Sequence, residues 1–249
     1  MTERLPAAGL AAVYDRALGA YLGLALGDAL GATVEFMTPR EIVRQHGVHR
    51  HITGGGWLKL PAGQVTDDTT MSLALGEALL QGARLGTPLD TRLIAEAYVA
   101  WWRGKPVDCG NTCRRGIQRY LQHGSLAGPP NDGDAGNGAL MRNLPAALAT
   151  LGDDAAFECV SIAQAHVTHH HPLSDAAVLG IGHLLRDVLA GADAAAQARR
   201  IEALVGAQPA FAFRPYPGRA SGYVVDTVQT VLHCFASHTD FEAAVIAAV

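Results

Sequence analysis

Two adjacent aspartates, Asp67 and Asp68, stand between threonines in the stretch VTDDTTMSLALG at residues 65–76, just ahead of apolar residues at helical spacing. Hydroxyl and carboxylate oxygens are the hard donors that Mg2+ and Mn2+ prefer. Successive side chains diverge by about 100° around a helix, so neighbouring carboxylates can address different ions of one cluster. A two-metal site is therefore one chemistry open to this segment. The same residues also suit an ordinary helix start, with Thr66 as N-cap and two carboxylates in the positive field of the helix dipole.

Other polar residues gather in four more places. Asp28 sits near the end of the glycine-rich stretch GLALGDALGATVEF and Glu35 just after it, each readable as a site carboxylate or as a cap or surface group. Asp108, in PVDCGNTCRRG, lies in a loop leading to a helix whose N-cap is expected at Asn111. Its carboxylate is then free for chemistry, or bonds its own backbone as turn aspartates do. In GDAGNGALMR the glycines let backbone approach a ligand, with Asp134 and Asn137 as hydrogen-bonding groups, but no lysine makes this a phosphate loop. HVTHHHPLSDA holds four of the eleven histidines. It lacks both a cysteine pair and an H-E-x-x-H pattern, which argues against zinc. Substrate contact by His171, or a helix start at Ser174 and Asp175, fits as well.

Helices must position these groups, because the apolar residues recur with helical periodicity and strand alternation is scarce. The expectation is an all-α, compact single domain over residues 1–249. Hydrophobic residues make up 49% and charged residues 17%, a composition of closely packed small-residue helices rather than of a disordered chain. The first helix is expected over 12–30, with Tyr14, Leu18, Tyr21 and Leu22 on one face. Gly19, Gly23, Gly27 and Gly31 form a bare stripe where another helix can come close. Further helices are expected over 67–84, 90–103, 111–123, 139–151, 154–167, 173–190, 194–206 and 221–236, and from 240 onward. A net charge of −4 with no Lys/Arg-rich block excludes an electrostatic footprint for nucleic acid or an anionic membrane. With no apolar run of membrane-spanning length, a cytoplasmic protein is expected, its four cysteines reduced.

Taken in order, GLALGDALGATVEF, TGGGW, TDDTTMSLALG, PVDCGNTCRRGI, GDAGNGALMRNLPAALATLG, THHHPLSDA and YVVDTVQTVLH resemble the ADP-ribosylglycohydrolase family along essentially the whole chain. The resemblance implies an all-α fold with two Mn2+ (or Mg2+) ions at the bottom of a cleft. It implies that Thr66, Asp67 and Asp68 form the first metal-ligand segment and that Asp108 acts in acid/base steps beside the ribose. Glu35, Asn111, Asp134, Asn137, His171 and Tyr216 fall at cleft-wall positions. Within the family the likeness is strongest to bacterial enzymes that remove ADP-ribose from an arginine of the nitrogenase iron protein. That implies the iron protein as substrate and a PII-type nitrogen-signalling protein as partner, recruiting the enzyme to a membrane. The family's second ligand segment, Gly-Asp-x-Asp-Thr, is expected beyond Val249, the sequence being read as part of a longer protein. Two rivals are a non-catalytic ADP-ribose-binding module and a hydrolase of ADP-ribosyl-serine or an ADP-ribosyl ester.

Overall fold

In the computed structural model, which describes residues 7–249, the helical periodicity resolves into eleven α-helices. These are α1 (Ala7–Gly31), α2 (Pro39–His46), α3 (Asp67–Leu85), α4 (Thr91–Arg103), α5 (Asn111–His123), α6 (Leu144–Ala149), α7 (Asp154–His166), α8 (Pro172–Ala190), α9 (Ala194–Ala207), α10 (Val224–Ser237) and α11 (Phe241–Ala248). Single 3-10 turns form at Asp132–Asp134 and Pro209–Phe211. Among the described residues the only strand-like pairings are isolated bridges, Gly55 with Leu60 and Gly136 with Tyr223. The fold is all-α, as the periodicity requires.

Local chemistry accounts for most helix ends. Asp90, Asp153, Asp193 and Asp240 each accept an amide of the following turn, and Gly86, Gly124 and Gly191 close α3, α5 and α8 in the left-handed conformation. Helix α2 was not anticipated, although its signal is local. Thr38 accepts from the Glu41 amide, the Glu41 carboxylate accepts back from the Thr38 amide at 2.7 Å, and Pro39 follows the cap. The expected helix over 139–151 shortens to α6. Residues 139–143 wind instead as turns, with the Leu140 amide on the Asn137 carbonyl at 2.8 Å and the Asn143 amide on that of Leu140 at 3.1 Å. Pro145, in the first turn of α6, has no amide to extend the helix backwards.

Two apolar clusters make the core. One joins α3, α4, α5 and α7 through Met71, Leu75, Ile94, Tyr98, Ile117 and Val160, all fully buried; the other joins α8, α9 and α10 through Ala177, Leu184, Leu204, Val228 and Leu232. Arg142 is fully buried in the first, with no carboxylate beside it. Its guanidinium instead donates to the Gln164 side chain at 2.8 Å, the Gln164 carbonyl at 2.9 Å and Thr168 Oγ1 at 2.8 Å, and lies 4.4 Å over the Tyr98 ring. Hydrogen bonding and the ring face replace the missing counter-ion. Because Nη1 also reaches Cys113 and Met71, one side chain ties α3, α5 and α7 together.

The face of α1 that carries Tyr14, Leu18 and Leu22 lies at the surface. Tyr14, Leu18 and Leu22 are 70%, 47% and 54% exposed, and Leu10 and Leu26 extend the same surface stripe. The glycine face is the one approached: a Cβ on Gly23 would lie 3.3 Å from the Phe241 ring of α11, while Gly19 and Gly27 face open space. Elsewhere one glycine is sterically required. A Cβ on Gly116, in α5, would stand 2.5 Å from the Thr168 Cα and the Val167 carbonyl, which are backbone atoms that cannot move aside. Gly116→Ala is expected to destabilise the protein by about 1–3 kcal/mol, the usual range for overpacking, read as a lower urea midpoint at unchanged slope.

Candidate active site

Asp28, at the end of α1, organises the site from 38 to 41 residues away. Its carboxylate accepts from the Thr66 amide at 3.0 and 2.9 Å, Thr66 Oγ1 at 2.8 Å, the Thr69 amide at 3.1 Å and Thr69 Oγ1 at 2.6 Å. These are the orphan amides at the start of α3, so a side chain from another helix performs the capping. Thr66 occupies the N-cap position, but its hydroxyl turns to Asp28 and makes no cap bond of its own. Thr66 is thus the expected N-cap by position, while Asp28 supplies the acceptor for the Thr66 and Thr69 amides.

With its first turn held from behind, α3 presents Asp67 and Asp68. Asp67 is buried, and its carboxyl is pushed up to about 6, chiefly by desolvation and then by the charge of Asp108, with the Gly110 amide partly offsetting both. Asp68 is driven well above the usual carboxylate range by burial and by Asp67, Asp28 and Glu35. Glu35 is raised in turn by burial, against the lowering effect of its Trp57 hydrogen bond, and by Asp108 and Asp28. These mutual shifts place Asp28, Glu35, Asp67, Asp68 and Asp108 in one electrostatic neighbourhood. None of the five enters an ion pair among the described residues.

The start of α5 faces this cluster. Gly110, not Asn111, is its N-cap, since Asn111 already has helical geometry as the first residue and its side chain is exposed. Asp108 Oδ1 accepts from the Cys109 amide at 2.7 Å, the self-capping turn expected of a loop aspartate. That bond uses one oxygen and sets the direction of the other. A cleft of about 490 Å³ opens beside it, lined by Trp102, Arg103, Lys105, Val107, Asp108 and Arg114 among others.

The glycine-rich loop flanks the inner side of α5. Gly138 lies against Cys113 and the His169 ring; a Cβ there would meet the ring at 2.6 Å, and one on Gly136 would meet it at 3.2 Å. These glycines make room for a histidine. Asp134 is buried, paired with Arg115, and accepts the His170 amide at 3.2 Å. Asn137 donates to Thr227 at 3.1 Å, pinning the loop to α10. His171 serves as N-cap of α8, its Nδ1 accepting from the Leu173 amide at 3.0 Å. Tyr216 bonds Thr230 at 2.8 Å and stacks on His233. Of the expected cleft-wall residues, Glu35 and Asn111 are exposed, and the other four hold loops in place.

Sequence reasoning passed over His169, the residue of the histidine run that turns inward. Burial and the cations of Arg142 and Arg115 push its pKa down to about 3, so it stays neutral, with Thr168 Oγ1 at 2.8 Å from Nδ1. Three consecutive histidines carry no local signal of which one that is. Among the described residues no three His, Cys, Asp or Glu side chains stand together as a ligand set.

The ADP-ribosylglycohydrolase family model matches residues 10–249. The ADP-ribosyl-[dinitrogen reductase] glycohydrolase of Rhodospirillum rubrum is 54% identical over 237 residues, covering 95% of this chain and 79% of that protein. The ADP-ribosylarginine hydrolase Tri1 of Serratia proteamaculans is 31% identical over 94% of this chain and 66% of its own length. A solved structure described as an ADP-ribosylglycohydrolase-related protein complex superposes with a TM-score of 0.78 at 33% identity, covering 94% of this chain and 80% of that one.

The cluster predicts opposite signs for two neighbouring carboxylates. Asp67 has a folded pKa of about 6, above the value of about 4 in an unfolded chain, so cation-free protein loses stability as pH rises from 4 through 6. Asp67→Asn is therefore expected to stabilise cation-free protein by about 2 kcal/mol at pH 7 and negligibly at pH 4. Asp28→Ala, which strands the first amides of α3, is expected to destabilise it by at least about 2 kcal/mol at pH 7. Urea midpoints at the two pH values read both.

Proposed function

The chain belongs to the ADP-ribosylglycohydrolase family, a family of metal-dependent hydrolases, and on that premise we propose that it releases ADP-ribose from a modified arginine of dinitrogenase reductase. Arginine as the point of attachment and dinitrogenase reductase as the carrier come from the relatives' activities. The observation in this chain that carries the reading is the pair Asp67 and Asp68 in a first turn that Asp28 holds from behind, with Asp108 near enough to raise Asp67.

The donor chemistry fits a divalent cation. Carboxyls that their surroundings penalise when charged are ones a cation would return to the charged form, and hydroxyl and carboxylate oxygens are hard ligands. Thr66, Asp67 and Asp68 would hold it, as two Mn2+ or Mg2+ ions in the family's manner. When bound, it supplies Lewis-acid chemistry at the ribose and neutralises the cluster.

The remaining work falls to this chain's own residues. Hydrolysis breaks the bond from ribose C1″ to a guanidine nitrogen and forms one from C1″ to a water oxygen. In this reading Asp108 Oδ2, the oxygen that the Cys109 turn leaves over, accepts the water proton and returns it to the leaving nitrogen. The loop at Gly136–Gly138 and the neutral His169 form a wall fixed by hydrogen bonds and close packing, which suits orientation of a bound sugar. Asn111 and Glu35 are the exposed polar groups for direct contact. The same resemblance implies regulation by a PII-type protein that brings the enzyme to a membrane; no helix among the described residues is long and apolar enough to cross one.

Asp108→Asn keeps the shape of the turn and removes the proton carrier. Turnover is expected to fall about 10²- to 10⁴-fold, with Mn2+ affinity nearly unchanged. Free ADP-ribose released from arginine-modified dinitrogenase reductase, with Mn2+ and with a chelator, is the measurement; a variant with normal turnover removes Asp108 from the mechanism.

A further inference from the structure

Beside the acidic cluster stand two of the most exposed aromatic side chains of the protein. Phe36 is 78% and Trp57 51% exposed, and water gives neither any reason to be there. They are nonetheless firmly placed. The rings meet edge to face, with centroids 5.3 Å apart at 64°. Trp57 Nε1 donates to Glu35 Oε2 at 2.9 Å, which fixes the indole and the carboxylate against each other.

The backbone holds them out as well. Phe36 has φ of 64°, a left-handed conformation that a bulky residue rarely adopts and that turns its side chain outward at the end of the α1 connection. Trp57 leaves a turn of three glycines. A Cβ on Gly54 would meet the Leu60 carbonyl oxygen at 2.5 Å, and one on Gly56 the Ala32 carbonyl oxygen at 2.6 Å. The turn is thus wedged against residues 32–33, and the Gly55–Leu60 bridge closes it. Strain and close packing are spent on keeping two aromatic faces in solvent.

Charge identifies what such a surface receives. Glu35 feels both Asp108 and Asp28, so the aromatic pair continues directly into the carboxylate cluster. Aromatic faces beside a carboxylate suit a planar cation, above all a guanidinium, which stacks on rings and hydrogen-bonds carboxylates in its own plane. Glu35 is not among the residues that would hold the cation, and its carboxylate beside the rings disfavours a diphosphate there.

We propose that Trp57 and Phe36, braced by Glu35, form the platform that receives the arginine side of the linkage, and so set a preference for arginine-linked over oxygen-linked ADP-ribose. The inference deepens the function proposed above and rests on it for the identity of the substrate.

Binding in the Asp108→Asn background separates the two, because it requires no turnover. In full-length protein with Mn2+, calorimetry compares ADP-ribosyl-arginine with free ADP-ribose, before and after Trp57→Ala and Trp57→Phe. The expected result is that ADP-ribosyl-arginine binds about 10-fold more tightly than ADP-ribose, a margin within the reach of cation–π contacts. Trp57→Ala removes that margin, leaves ADP-ribose affinity within about twofold, and Trp57→Phe restores most of it. In the otherwise unmodified enzyme, Trp57→Ala then raises KM for arginine-linked substrate and leaves an ADP-ribosyl-serine peptide unaffected. No margin, or a margin that survives Trp57→Ala, overturns the platform. An equal loss of affinity for both ligands also overturns it, and assigns the pair to the nucleotide. A wild-type enzyme that binds as expected but releases no ADP-ribose from arginine overturns the proposed function and leaves the platform standing.

Discussion

Everything at the site depends on the grip of one carboxylate, Asp28, on the first turn of α3. A serine or threonine cap would satisfy the same amides locally, at the price of placing its own side chain where the site must open. Capping from α1 removes that obstruction. The two hydroxyls and two amides that bind Asp28 belong to Thr66 and Thr69, the residues bracketing Asp67 and Asp68. The pair therefore projects from a turn that is held at both flanks and free between them. Burial raises both aspartates first; the charge of Asp108 adds to it at Asp67, and those of Asp67 and Asp28 add to it at Asp68. The fold accepts that repulsion, a local loss of stability of the kind concentrated at functional sites.

Away from the acidic front the arginines are satisfied differently. Arg142 is buried without a carboxylate and satisfied by Gln164, Thr168 and the Tyr98 ring. Arg115 pairs with Asp134 at the glycine-rich loop. Between them His169 is kept neutral. The negative groups cluster where α3 and α5 begin, and the positive ones lie a turn deeper along α5 and at the start of α6.

Where reading the residues went astray, the reason is tertiary in all but one case. Asn111 has the composition of a cap, but Gly110 already bends the chain into α5. The helix expected over 139–151 has apolar residues at helical spacing, yet residues 139–143 are committed to turns by the Asn137 carbonyl and to the core by Arg142. Helix α2 is the exception: its capping box and proline were legible in Thr38, Pro39 and Glu41 and were simply passed over.

By itself the sequence determined the class of the fold, the boundaries of most helices and the chemistry available, because periodicity, caps and the kind of donor atom are properties of neighbouring residues. The pairing of Asp67 with Asp68, and the presence of Asp108 ahead of a helix, were visible in this way. Only the tertiary structure decided which polar groups act and which support. Asp28 became the buttress, Asp134, Asn137, His171 and Tyr216 were taken up by loop anchoring, and His169 turned inward. Those roles depend on which donor lies opposite each side chain from a distant helix, and on how far burial shifts a charge, and neither is encoded within a turn or two of the residue concerned.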